Sequence, residues 1–244
     1  MEPAYSNLDV IITDLSVKAV LISAIILIIL SVISIKLKNA GLGIKKLLFL
    51  SFVAITISCT LFLAGSTIYL NTVSISGGPV HHHADYEIWR CGEEVELKDP
   101  QGLSNKIGTP TLHEHNDKRI HLEGVIVKPL DASLGNFFRV VGGSFENDRL
   151  TFPGNSEEIV LESGDDCLDV ENTQLQVFLY KVEGDFFAQT KLENPRDYII
   201  TADQNVPPGD CIIIELDAPK QKTEYLCRSF KVAVDTGDLK EFKN

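Results

Sequence analysis

The chain is poor in basic residues relative to acidic ones. It has 22 lysines and arginines against 34 aspartates and glutamates, a formal net charge of −12 over 244 residues. A protein that binds nucleic acid needs a basic footprint, so this charge argues against a nucleic-acid partner. It suits a soluble domain that stays away from anionic lipid or attracts cations.

Familiar enzyme signatures are also missing. The chain has no Gly-rich phosphate loop, no Walker lysine motif, no Gly-x-Ser-x-Gly and no His-Glu-x-x-His. It has no Cys-x-x-Cys, which disfavours a thiolate metal site. No internal repeat and no linker divides the part after residue 70, so we predict one domain over residues 71–244.

Two long apolar runs precede this domain, Ala19 to Ile35 and Leu47 to Leu70. About 20 apolar residues cross a bilayer as a helix. Nothing downstream is apolar enough to bury two such helices on all sides, and no basic region typical of a cleaved signal peptide precedes the first run except Lys18. We therefore predict a transmembrane hairpin with helices over residues 17–36 and 47–70.

The charges that flank the two runs predict the orientation of the hairpin. Lys36, Lys38, Lys45 and Lys46 lie between the runs with no acidic residue among them, so the loop 37–46 is predicted to be cytoplasmic. The acidic segment 1–16 and the domain 71–244 then face outward. This predicts a multi-pass protein of the cell membrane whose C-terminal domain lies outside the cytoplasm.

Serine, threonine and glycine recur in the second run, for example at Ser58, Gly65 and Ser66. Small residues permit close helix approach. The two spans are therefore expected to contact the lipid bilayer and to pack on each other, on a membrane protein partner or in a homo-oligomer. The alternative is that these residues are merely tolerated in a span.

Cysteine usage agrees with an outward domain. Cys59 lies in the second apolar run, whereas Cys91, Cys167, Cys211 and Cys227 all belong to the outer domain. Four cysteines outside the cytoplasm allow three pairings. We favour Cys211 with Cys227, within one predicted hairpin, which leaves Cys91 for Cys167.

The outer domain has the pattern of a mainly β protein, either an antiparallel β-sandwich or an open barrel, with one short helix. The helix is predicted over Ser133 to Val141, with Ser133 as its N-cap. The predicted strands are residues 81–91, a short return through Val95 and Leu97, Leu112 to His115, Ile120 to Val127, Leu175 to Tyr180, Phe186 to Lys191, Tyr198 to Thr201, Ile212 to Leu216 and Phe230 to Val234.

All six histidines lie within residues 81–121. Alternate residues of a strand face the same side about 6.6 Å apart, so a His-x-His pair aims two imidazoles at one region. Histidine is the commonest metal-donating side chain. The predicted metal ligands are His81, His83, His113, His115, His121 and Glu123.

The turn between the two middle strands decides whether His121 joins the others. A four-residue turn places His113 opposite Leu122 and His115 opposite Ile120. His121 reaches the same area if the turn is bulged or one residue longer. Carboxylates that would orient the rings are present nearby. The candidates are Asp85, Glu87, Glu114 and Asp117.

Imidazoles with a carboxylate in reach suit copper, zinc, nickel or iron, and we favour a copper or zinc ion. The predicted function is that of a membrane-anchored extracytoplasmic metal-binding protein, in binding, delivery or sensing. One alternative is a metal-dependent enzyme with a three-His site and a bound water. The other is a structural or interaction module without metal, such as an accessory subunit of a membrane complex.

Four motifs in order carry a resemblance. His81-His82-His83-Ala84, then His113-Glu114-His115-Asn116-Asp117, then His121-Leu122-Glu123, then Leu134-Gly135-Asn136-Phe137-Phe138 are similar to an HxHA, HxHxD, HxE and LGxFF pattern. The chain resembles an uncharacterised family of exported or membrane-anchored archaeal and bacterial proteins over about residues 78–145. The resemblance implies an exported His-rich β domain and no particular reaction. Here Lys118 and Arg119 stand where that pattern has a turn glycine, and the hairpin is not part of the resemblance.

Overall fold

The computed structural model describes residues 8–167, 170–201 and 207–241. It begins with two helices that pack on each other, α1 (Leu8–Lys36) and α2 (Leu42–Val73). Neither helix has a buried residue, and both are long and apolar enough to cross a membrane. The predicted hairpin of apolar helices is confirmed, and its exposed apolar surface suits lipid.

The helices extend beyond the predicted bounds. The first begins at Leu8 rather than at residue 17, so Asp14 and Lys18 lie on α1 and form an ion pair at 2.5 Å. The second begins at Leu42 and takes in Lys45 and Lys46. A helix continues past its apolar stretch as long as no breaker residue follows. The part of the predicted segment 1–16 before Leu8 lies outside the described residues.

The outer domain consists of short strands with two short helices. The strands of the described residues are β1 (Pro79–Arg90), β2 (Glu93–Val95), β3 (Ile107–Gly108), β4 (Leu112–Glu114), β5 (Arg119–Val125), β6 (Ser144–Phe145), β7 (Arg149–Pro153), β8 (Glu158–Glu162), β9 (Gln174–Glu183), β10 (Phe186–Lys191), β11 (Asp210–Asp217) and β12 (Lys240–Glu241). The helices are α3 (Leu134–Val140) and α4 (Arg228–Thr236), and single 3-10 turns occur at Pro129–Ala132 and Pro195–Asp197.

Most strands join one nine-stranded sheet in the order β12-β10-β9-β11-β1-β5-β4-β3, with β2 paired to β1. A second sheet has the order β6-β7-β8. The mainly β fold is confirmed, and the large sheet is open at both ends of this path. It is mixed rather than wholly antiparallel, because β1 pairs in parallel with β11 and β10 with β12. A parallel pair needs a long crossover, and here the strands between β1 and β11, and α4 before β12, supply it.

The large sheet is covered on both faces. On one face, Tyr86 and Ile88 of β1 share a core with Phe137 of α3 and Phe152 of the second sheet. On the other face, Phe230 of α4 packs on a second core. Strand β11 is buried along nearly its whole length because both of its faces are covered.

The short helix α3 follows the prediction. Its N-cap is Ser133, whose Oγ accepts a hydrogen bond from the backbone N–H of Asn136 at 3.1 Å. The predicted strand over Phe230 to Val234 is wrong, since these residues lie on α4. Phe230 and Ala233 are three residues apart and both point into the core, which is helical spacing.

The predicted strand over Tyr198 to Thr201 is also wrong. Within it, Ile199 makes an isolated bridge to Ser133 and forms no ladder. A 3-10 turn at Pro195–Asp197 comes immediately before it. These four residues have a strand-like composition but no neighbouring strand to pair with. β propensity alone does not make a strand without such a partner.

Both predicted disulfides are confirmed, Cys91 with Cys167 and Cys211 with Cys227. The predicted reason for the second pairing was wrong. Cys227 does not lie on a strand opposite Cys211 but directly precedes α4, and its disulfide joins that helix to β11. The backbone N–H of Cys227 also donates to Cys211 Sγ at 3.1 Å.

Among the described residues, hydrogen bonds link both ends of the hairpin to the outer domain. Thr111 Oγ1 donates to Asp9 Oδ2 of α1 at 2.5 Å. Beyond α2, the backbone N–H of Ile75 donates to the carbonyl of Ile126 at 3.0 Å, just past β5. The ends of β1 and β5 that carry the first histidines therefore lie beside the helices.

Candidate metal centre

Three neighbouring strands bring histidines from the three sequence groups into one row. Strand β5 lies between β1 and β4 in the sheet. On β5, His121 is paired with His83 of β1 on one side and with His113 of β4 on the other. Glu123 is paired with His81 in the next row. Residues paired across strands have side chains about 5 Å apart, so the pairing itself assembles the cluster.

The register differs by one residue from the four-residue turn expected from the sequence. Leu112, not His113, lies opposite Leu122. In the turn, Asn116 and Lys118 have positive φ angles of 66° and 57°. This left-handed backbone differs from the plain four-residue turn and accompanies the one-residue shift in pairing. This is the altered turn on which the inclusion of His121 depended.

Odd-numbered and even-numbered residues of these strands face opposite ways. Ala84, Ile120 and Leu122 are fully buried in the core shared with α3. His83 and His121 point to the other face of the sheet. His82 has the parity of the core side, lies opposite Leu122 and belongs to neither histidine group.

The structure places the six predicted ligands in two neighbouring groups of three. The first, which we call the inner group, consists of His113, His115 and His121. The Nε2 atoms of His113 and His115 lie 3.1 Å apart. The ring centroid of His121 lies 5.5 Å from that of His113 and 4.9 Å from that of His115. His113 is only 1% exposed, so this group is set into the domain.

The second, the outer group, consists of His81, His83 and Glu123. The Nε2 atoms of His81 and His83 lie 3.0 Å apart, and Glu123 Oε1 lies 3.3 Å from His81 Nε2. The His81 side chain is 64% exposed and that of Glu123 is 39% exposed. This group is therefore open to solvent.

These spacings match the distance between two ligands of one ion. Zinc–nitrogen bonds of about 2.0–2.1 Å in a tetrahedral site place ligand atoms about 3.3 Å from one another. The Nε2–Nε2 distance in each His-x-His pair, and the contact from Glu123 to His81, lie within 0.3 Å of that value. Each group has three donors, which leaves one tetrahedral position for a water or a further ligand.

Two other groups orient the rings of the inner group. His115 Nδ1 donates to the backbone carbonyl of Asn105 at 2.6 Å, which leaves the lone pair on its Nε2. His121 Nε2 lies 3.1 Å from Asp117 Oδ2. Asp117 was a candidate from the sequence, but the carbonyl of Asn105 was not, because a backbone acceptor in a loop leaves no signal in the residue pattern.

The other carboxylates proposed from the sequence have different partners in the contacts that the structure describes. Glu114 accepts the backbone N–H groups of Asp117 and Lys118 and so holds the β4–β5 turn. Asp85 pairs with Arg119 at 2.5 Å. Glu87 accepts from the indole N–H of Trp89.

Burial disfavours the charged form of two imidazoles of the inner group, His113 and His121. Burial, reinforced by the nearby charge of Lys106, lowers the pKa of His113 to about 4. Burial also lowers the pKa of His121, although Asp117 opposes the shift. His113 Nδ1 is buried and has no hydrogen-bond partner among the described residues. A neutral imidazole is the form that binds metal, so His113 needs no deprotonation near neutral pH.

Comparisons with protein-family models, with curated proteins and with solved structures found no match to this chain. The chemistry of the centre therefore follows from its donor atoms, their spacing and their burial. Imidazoles and a carboxylate at these distances are able to bind a transition-metal ion. An open fourth position also permits exchange of a ligand or passage of the ion to a partner.

Proposed function

We propose that the chain is a membrane-anchored, extracytoplasmic metal-binding protein that serves in binding, delivery or sensing of copper or zinc. The observation that supports this most is the inner group, where imidazoles from β5, from β4 and from the residue just after β4 converge, with His113 buried. The Nε2 spacing of His113 and His115 and the hydrogen bond from His115 to the carbonyl of Asn105 suit metal ligands.

The available donors favour a divalent ion. Soft sulfur ligands select Cu(I), whereas imidazole suits Zn(II) and Cu(II). The four cysteines of the outer domain are used in disulfides, and the only methionine of the chain is Met1. The proposal is therefore specific for nitrogen and oxygen coordination of Zn(II) or Cu(II).

Two features support an outward orientation of the domain. Disulfides persist in oxidising compartments, and the lysine-rich connection between α1 and α2 has the charge of a cytoplasmic loop. Because the hairpin returns the chain to its starting side, α1 and the outer domain meet at Asp9 and Thr111. We propose that the metal centre faces the outer surface of the cell membrane.

The orientation is tested by labelling intact cells with a membrane-impermeant thiol reagent. Replacement of Asn39, in the connection, by cysteine gives a variant that we expect to react only after the cells are permeabilised. A matched cysteine at exposed Leu103 of the outer domain is expected to react in intact cells. The reverse pattern would place the centre in the cytoplasm and would contradict the proposal.

The metal function is tested on the full chain purified in detergent, stripped with chelator and dialysed against buffered Zn(II) or Cu(II). We expect bound metal in the wild type, measured by mass spectrometry of the metal, and loss of the inner-group ion in His113→Ala/His115→Ala. His82→Ala is the matched control, since it removes a neighbouring imidazole that belongs to neither group.

Negligible metal in both the wild type and the double variant would contradict metal binding. It would favour the structural or interaction module, in which the histidines only form hydrogen bonds. Membership in the exported family that the motifs resemble stays a prediction, and so do a membrane protein partner and a homo-oligomer of the hairpin.

A further inference from the structure

The two histidine groups are in contact with each other. The rings of His83 and His121 meet edge to face with centroids 4.8 Å apart, one from each group. Glu123 Oε1 lies 3.3 Å from His81 Nε2 and 4.0 Å from His121 Nδ1. One carboxylate oxygen thus faces both groups.

Six donors exceed what one tetrahedral ion accepts. Structural and catalytic zinc sites use three or four protein ligands. Here each group supplies three donor atoms within 4.8 Å of one another, and the sheet holds the two groups side by side. The arrangement is that of two adjacent ion positions rather than one position with surplus ligands.

We propose, on the basis of the metal function proposed above, that the centre is dinuclear. The inner group holds one divalent ion, the outer group holds a second beside it, and Glu123 lies at their boundary. The occupants are ions of the Zn(II) or Cu(II) class, because the donors are five imidazoles and one carboxylate.

The position of Glu123 explains how two cations are tolerated so close together. Two dications repel strongly at short distance, and an anion between them offsets the repulsion. In two-metal sites of proteins, ions lie about 3.5–4 Å apart and share bridging groups. Glu123 is on the middle strand, in the row next to His121, where it reaches both positions.

The two positions differ in access to solvent. His113 of the inner group is 1% exposed, whereas the His81 side chain of the outer group is 64% exposed. A buried, preorganised set retains its ion longer than a set whose ligands move freely in water. The inner position therefore fills first and holds tightly, and the outer position exchanges.

The experiment measures stoichiometry and coupling on the full chain in detergent. After equilibrium dialysis against Zn(II), and separately Cu(II), we expect two ions per chain in the wild type. His81→Ala/His83→Ala is expected to retain one, and Glu123→Gln to weaken the second ion about tenfold or more. In the Cu(II) form, electron paramagnetic resonance should show a spin-coupled pair in the wild type and an isolated Cu(II) ion in His81→Ala/His83→Ala.

The possible outcomes separate the two proposals. No bound ion in the wild type overturns the metal function itself. If the wild type binds one ion per chain and His81→Ala/His83→Ala still binds it, the dinuclear centre is overturned and the metal function stands. The same conclusion follows if the wild type binds one ion that is lost in both His81→Ala/His83→Ala and His113→Ala/His115→Ala. The dinuclear centre is also overturned if the wild type binds two ions without spin coupling and His81→Ala/His83→Ala keeps both. In that case the second ion is bound elsewhere. Circular dichroism of each variant, with His82→Ala as control, verifies that the fold is retained.

Discussion

The two faces of the sheet segment formed by β1, β5 and β4 have different roles, although alternate residues of the same strands form both of them. One face presents Ile120 and Leu122, fully buried against α3 and the second sheet. The other presents His121 and Glu123. A strand with a side-chain period of two carries the fold on one side and the candidate site on the other, and a register slip of one residue would exchange them.

The largest effect is expected on the core face. Leu122→Ala removes a fully buried side chain and should lower the free energy of unfolding by about 2–5 kcal/mol, with metal stoichiometry unchanged in the folded protein. Thermal unfolding is followed by the fluorescence of Trp89, the single tryptophan, which stacks on Tyr225 in the outer domain. A variant that keeps its stability but loses its metal would show that the faces are not separate.

On the histidine face, His113→Ala/His115→Ala should reduce the affinity of the inner-group ion by more than about 100-fold, which exceeds the effect of losing a partner of a ligand. Competition with a chelator of known affinity measures this. In the metal-free state the double variant should lose about 1–3 kcal/mol of stability, because it removes the buried ring of His113 and its stacking on His121. An unchanged affinity would remove these imidazoles from the site.

Acid should weaken the metal-free protein through His113. Its pKa is lowered from 6.5 to about 4 on folding, so the unfolded chain takes up the proton first. The stability that His113 contributes is present above pH 6.5 and is lost as the pH falls towards 4, by about 2 kcal/mol at pH 5.

The measurement compares unfolding of the wild type with that of His113→Gln at pH 7 and pH 5. The difference between their pH slopes isolates His113 from buried carboxyls such as Glu114, whose raised pKa acts in the opposite direction. Parallel slopes would mean that His113 is not held neutral by burial.

The smallest effect is expected from Asp117→Asn. Asp117 contacts His121 Nε2 at 3.1 Å without belonging to either group. Loss of such a partner weakens metal binding about tenfold. A chelator competition in which Asp117→Asn equals the wild type would show that this contact does not orient the ring.

The hairpin and the mainly β domain followed from the sequence because each leaves a strong local signal, whereas the disulfide pairing was predicted correctly from a hairpin that the structure does not contain. Long apolar runs and alternating residues predict these elements by themselves, while four cysteines still leave three pairings open. The helix at Phe230 was missed because a short apolar run fits either period, and its packing on β11 depends on distant residues.

The residues of the candidate site were predictable from the sequence, but their division into an inner and an outer group was not. The His-x-His spacing indicated paired imidazoles, yet the pairing of His121 with both His83 and His113 depends on the neighbours of β5 and on the left-handed turn at Lys118. Neither is encoded in spacing. The division into an inner and an outer group is a consequence of sheet order.

The most direct test of the metal centre is an anomalous difference map from crystals of the zinc-loaded full chain, collected at the zinc absorption edge. The account predicts a peak about 2.0–2.1 Å from a ring nitrogen of each of His113, His115 and His121. Zinc bound only elsewhere, or imidazoles in these positions with no peak between them, would contradict it.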